Sequence, residues 1–187
     1  DRSPSRGLGD VYKRQKEPYS TPIYGLDVFK GPGPRGRLLA ACGSRQVSVY
    51  ELESGEQRGL QLLQAYVDDD AGYKDESSDE KGESYYCLRW GFDPATGEPL
   101  LAVGGRRGVI KVLAPARHEL ATELRGHGGA INELVFHPVD PHLLISASGD
   151  ESVRVWNLAT GTCALVLGGD GGHRDEVLAV AVHPLGW

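Results

Sequence analysis

The sequence predicts an all-β fold, a β-propeller built from repeated four-stranded units, with three units whole and a fourth begun. Three observations carry that expectation. Short apolar runs of strand length recur from residue 19 onward, broken by Gly, Pro, Asn and Asp turn signals. One stretch, GHGGAINELVFHPVDPHLLISASGDESVRVWN (126–157), spells out most of a unit. That unit then begins again at a fixed offset. Gly126-His127 returns as Gly172-His173, His137-Pro138 as His183-Pro184, and Ile131, Leu134 and Phe136 as Val177, Val180 and Val182.

Within the complete unit each part has a physical role. Ile131, Leu134 and Phe136 make a first apolar run that stops at Pro138, which has no N–H to give to a strand ladder. Residues 143–145 make a second run, and Gly149-Asp150 signals a hairpin before the alternating Val153-Arg154-Val155. Residues 163–167 supply the outer strand. Opening on Gly-His and closing on Trp-Asn is the punctuation of a WD-type repeat. In such repeats the loop histidine bonds the turn aspartate and a serine meets the indole, which assigns a hydrogen-bond set of His127, Ser146, Asp150 and Trp156. A buried set of this kind is stable only when every member has a partner.

In chain order, residues 1–18 carry no strand or helix pattern and are rich in Arg, Gly, Ser and Lys. They read as a disordered leader, either translated adapter sequence or a native basic arm, and are set apart from the fold. Residues 19–67 hold four apolar segments (23–29, 38–42, 47–52 and 60–67), one blade's worth. Residues 68–83, DDDAGYKDESSDEKGE, interrupt the rhythm with eight acidic residues against Lys74 and Lys81. This local charge of −6 equals that of the whole chain, so the rest is near neutral. The insert is either a solvated loop or a patch that attracts a basic partner.

Residues 84–125 form the second unit, with strands expected at 84–92, 100–104, 109–113 and 120–124. Its polar punctuation is degraded: Leu113 stands where the next unit has Trp156, and Arg107 where it has Asp150. This blade is therefore expected to be held by packing alone. The third blade covers 126–171, and 172–187 opens the fourth, with 176–187 as its inner strand. With no methionine in its 187 residues and a last unit barely begun, the chain reads as the front part of a larger propeller.

Composition narrows the function. Charged residues make up 25% and aromatics 7%, as in ordinary globular proteins, and no apolar run approaches the roughly 20 residues that span a bilayer. Cys42, Cys87 and Cys163 are widely spaced, and read as small buried thiols in a reducing compartment and not as a zinc site. The six histidines fall at repeat loops or turns. No nucleophile elbow, phosphate loop or metal-ligand spacing is present, so neither an enzyme, a metal nor a cofactor is expected. Asp27 and Glu176 are the only carboxylates placed to suggest otherwise.

The aromatics are more informative. Repeat alignment puts Tyr24 and Tyr86 at the same place in neighbouring blades, at the start of the innermost strand, with Ala130 and Glu176 at that place in the next two. Two rings at a channel mouth are either strand-start packing residues or part of a cage for a quaternary ammonium.

The runs LLQAYVDDD (62–70), SYYCLRW (84–90), GHGGAINELVFHP (126–138), SGDESVRVWN (148–157) and GGHRDEVLAV (171–180) resemble the extra sex combs family. The likeness covers residues 19–187 and is strongest to the plant, fertilization-independent endosperm form. It implies a non-catalytic scaffold of a nuclear Polycomb histone methyltransferase complex. Such a scaffold binds a SET-domain catalytic subunit and other Polycomb subunits, and reads trimethyl-lysine on a histone tail. It implies no membrane association and no sequence-specific nucleic-acid contact. Tyr24 and Tyr86 match two members of the family's aromatic cage; Tyr24 replaces the Phe of the animal form, and the remaining cage residues fall outside this chain. The acidic stretch at 71–83 exceeds the family's usual link. The rival expectation is a generic WD scaffold, such as a ubiquitin-ligase substrate adaptor, with the fold and no cage.

Overall fold

The computed structural model describes residues 22–31, 37–52, 59–68 and 82–186. The proposed leader and most of the acidic insert lie outside them. The described residues contain twelve strands and no helix. The first sheet is β1 (Gly25–Val28), β2 (Leu38–Gly43), β3 (Gln46–Leu52) and β4 (Leu60–Val67). The second is β5 (Tyr85–Phe92), β6 (Pro99–Gly105), β7 (Ile110–Ala114) and β8 (Glu119–Leu124). The third is β9 (Ile131–Phe136), β10 (Leu143–Ser148), β11 (Val153–Asn157) and β12 (Thr162–Leu167).

Each sheet is an antiparallel meander in chain order. The strand patterns follow from this layering. β2 and β10 are covered on both faces and read as nearly continuous small or apolar runs, LLAACG and LLISAS. The outer β4 and β12 leave Leu62, Leu63, Leu165 and Val166 exposed. In all three sheets the outermost pair bulges at one equivalent place, at Val49/Tyr50, Val112/Leu113 and Val155/Trp156, which adds local twist.

The sheets pack face to face, and the innermost strands β1, β5 and β9 touch in succession. Between the first and second sheets lie Phe29, Val47, Val49, Leu88, Trp90, Leu101 and Val103. Between the second and third lie Ile110, Leu124, Ile131, Leu134, Leu144 and Trp156. Tight turns keep the packing close: Gly108 holds a φ of 69°, and a Cβ there would stand 2.5 Å from the Gly129 carbonyl oxygen.

Residues 176–187 were expected as an inner strand, and no strand forms among the described part of that segment. A strand needs a ladder partner, and no neighbouring strand pairs with it among the described residues. The segment instead leans on the third sheet. Val177, with half-buried Val180 and Val182, covers Ile145, Val153 and Val155. It is held there by isolated bonds and not by a ladder: Val177 N–H donates to the Ser148 carbonyl (3.0 Å), the Asn132 side chain donates to the Val177 carbonyl (3.0 Å), and Val180 N–H donates to Glu133 Oε2 (2.8 Å).

Candidate functional site

The starts of the inner strands bring Tyr24 and Tyr86 together. Tyr24 immediately precedes β1, where its N–H donates to the Cys42 carbonyl at 2.9 Å. Tyr86 is the second residue of β5, at a bulge between Tyr85 and Cys87. The bulge lets consecutive tyrosines diverge: Tyr85 is buried in the core and Tyr86 is half-buried at the rim. Gly25 allows the approach, since a Cβ there would stand 2.8 Å from Cys42 Sγ and 3.3 Å from the Leu88 nitrogen. The two rings meet edge to face, with centroids 5.8 Å apart and planes at 88°. Tyr24 is 56% exposed, so aromatic surface remains open to solvent. Such faces attract a cation through the ring quadrupole, most strongly one with little hydration to lose. Ala130 is half-buried at the next blade's equivalent place, and the Glu176 carboxylate lies beside Gly149.

The second group sits in the third sheet. Trp156 Nε1 donates to Ser146 Oγ at 2.8 Å, and Ser146 Oγ lies 2.7 Å from His127 Nε2. His127 Nδ1 lies 2.9 Å from Asp150 Oδ2. Gly128 N–H donates to that oxygen, and Ser152 donates to the other through both its N–H and its hydroxyl. One proton arrangement satisfies the set: neutral imidazole accepts from Ser146 at Nε2 and donates to Asp150 from Nδ1. The electrostatics agree. Burial lowers the His127 pKa against the pull of Asp150. Burial works to raise the Asp150 pKa, but hydrogen bonds from Ser152, Gly128 and His127 outweigh it and hold the carboxyl well below its usual range.

The second sheet corrects the expectation that packing alone holds it. Gly82-Glu83 occupies the place of Gly126-His127, and Glu83 is 2% exposed. Its Oε1 accepts the backbone N–H groups of Ser84 (3.0 Å) and Arg107 (3.3 Å). Burial raises the Glu83 pKa, those two bonds lower it, and nearby Asp68 raises it again. Beside it Lys111 Nζ pairs with Asp68 Oδ2 at 2.9 Å, and the Tyr85 hydroxyl donates to the same oxygen at 3.4 Å. Tyr85 is pushed up to about 12, first by burial, with Lys111 opposing and Asp68 and Glu83 assisting. The same blade alignment that matched Tyr86 with Ala130 could have revealed Glu83, but a glutamate at a histidine's place carries no motif.

Cys42 and Cys87, on neighbouring blades, are each pushed up to about 12, chiefly by burial, and stay thiols at neutral pH. Among the described residues no three His, Cys, Asp or Glu side chains converge as metal ligands would.

Comparison with known proteins places this geometry in context. Residues 118–157 match the family described as WD domain, G-beta repeat. The Polycomb group protein FIE2 of Zea mays is 46% identical over 148 residues, covering 79% of this chain and 36% of that protein. The Polycomb protein esc of Drosophila melanogaster is 42% identical over 144 residues, covering 77% and 31%. Among solved structures, the polycomb repressive complex 2 of Chaetomium thermophilum in complex with H3K27me3 holds a chain that superposes with a TM-score of 0.73. It is 28% identical and is matched over 87% of this chain and 33% of its own length. This chain thus spans about a third of the length of the curated relatives it matches. Over more than three quarters of its length, then, the chain is similar to Polycomb group proteins of the FIE and esc kinds, and its strand meanders agree with the WD-repeat match.

Proposed function

We propose that this chain is part of a non-catalytic, nuclear scaffold subunit of a Polycomb histone methyltransferase complex, and that its rim contributes to reading trimethyl-lysine on a histone tail. The observation that carries the reading is the Tyr24–Tyr86 pair, 5.8 Å apart at the starts of adjacent inner strands. A trimethylammonium has no N–H to offer and sheds its hydration cheaply, so aromatic faces suit it better than hydrogen-bond acceptors do. Each face adds roughly 0.5–2 kcal/mol. Two are too few for tight binding, and further aromatic groups would come from outside this chain. The other partners in the reading are a SET-domain methyltransferase subunit and further Polycomb subunits. The Polycomb relatives and the fungal complex support them.

The test is calorimetric titration of the full-length protein with a trimethylated histone-tail peptide. Micromolar affinity is expected, abolished by Tyr86→Ala and absent for the unmethylated peptide. Equal binding to both peptides would leave a scaffold without a reader.

A further inference from the structure

A repeated side-chain device ties each inner strand to the next. At one equivalent position the three inner strands carry Asp27, Arg89 and Glu133. Each reaches the backbone of the following blade, one residue beyond its own counterpart there. Asp27 Oδ2 accepts the Trp90 N–H at 2.9 Å, Arg89 Nε donates to the Leu134 carbonyl at 3.0 Å, and Glu133 Oε2 accepts the Val180 N–H at 2.8 Å. Each residue sits across from a fully buried alanine, Ala40, Ala102 or Ala147, which leaves its side chain room. The charges alternate in sign, and Arg89 also pairs with Glu133 at 3.2 Å.

The first of these links is double. Besides the Asp27 carboxylate on the Trp90 N–H, the Trp90 indole N–H donates back to the Asp27 carbonyl at 3.1 Å. It therefore fixes β1 against β5 three residues after Tyr24 and four residues after Tyr86. We infer that Asp27 is a positioning residue for the aromatic pair: it sets the offset between β1 and β5 at which the Tyr24 and Tyr86 rings meet. The inference rests on the reading of that pair as a cation site, although the ring geometry can be measured without it.

Four substitutions in the full-length protein test it, with two readouts: affinity for the trimethylated peptide, and ring-current shifts of the Tyr24 and Tyr86 protons. Asp27→Ala is expected to weaken the peptide by about tenfold, the scale of one charge-assisted hydrogen bond, and to shift both rings. Asp27→Asn, which keeps an acceptor for the Trp90 N–H, is expected to recover most of both. Glu133→Ala breaks the same kind of link away from the pair and is expected to cost stability while leaving affinity and ring shifts unchanged. Should Asp27→Ala fold poorly, Trp90→Phe removes the indole half of the link and is expected to move the rings in the same way. Unchanged ring shifts in Asp27→Ala, or equal loss of affinity in Glu133→Ala, would overturn the inference. A wild-type protein that ignores the peptide would sink the cation-site reading alone, leaving the ring shifts to decide the role of Asp27.

Discussion

Glu83 stands in the second sheet where His127 stands in the third, and each is buried against the turn closing its own central hairpin. Glu83 accepts the Arg107 N–H, while His127 lies on the Asp150 carboxylate. The two blades thus meet one structural need with opposite proton chemistry. Because the Glu83 pKa is raised on folding, its favourable contribution is whole below the ordinary carboxyl value of about 4.3 and fades as pH rises through the folded value. Glu83→Gln should therefore gain on the wild type as pH rises from about 4 to 8. Thermal midpoints across that range check it; a constant difference would refute it.

His127 and Asp150 act in the other direction. Both folded pKa values are lowered, so their stabilisation is whole above the unfolded values, about 6.5 and 3.9, and is lost as pH falls through the folded ones. Denaturant unfolding should show stability dropping below pH 6.5, with the first part of the slope removed in His127→Gln.

Trp156→Phe keeps most of the buried ring but withdraws the indole donor from Ser146 Oγ. The remaining bond to His127 limits the damage, and a loss of about 1–2 kcal/mol is expected. In Ser146→Ala both Trp156 Nε1 and His127 Nε2 lose their partner, so the loss should be larger. Equal losses would contradict the chain of bonds.

Gly25→Ala should destabilise the protein by about 1–3 kcal/mol, because the new methyl meets Cys42 Sγ at 2.8 Å. Cys42→Ala removes that sulfur and should restore part of the loss in the double variant. Additive losses would place the strain at the Leu88 backbone instead.

Much of this architecture was legible in the sequence for a physical reason. Buried central strands demand continuous apolar runs, and the turns between them demand Gly, Asn or Asp, so segments such as 38–42 and 143–145 announced themselves. His127, Asp150 and Trp156 were readable because their spacing is a motif. Tyr24 and Tyr86 could be placed at one rim by repeat alignment, but their edge-to-face contact depends on a bulge and on Gly25, which spacing does not encode. The Asp27, Arg89 and Glu133 links were illegible for a different reason. They mix both charge signs and end on backbone atoms, which have no sequence identity. The segment 176–187 misled because its apolar pattern records what it pairs with in a repeat, and no strand pairs with it among the described residues.

Arg45 carries a last consequence. Its guanidinium donates twice to the Asp68 carbonyl, at 3.1 and 2.5 Å, and also lies against Gly82, so one side chain braces both margins of the 69–81 stretch. The distance between those margins is set by the sheets and does not depend on how many residues run between them. Closing a longer excursion over a fixed gap costs only about 0.6 kcal/mol per doubling of its length. The position is therefore a natural port, where a fluorescent reporter or an altered run of charge can be spliced in four residues from Tyr86 without retuning the blades on either side.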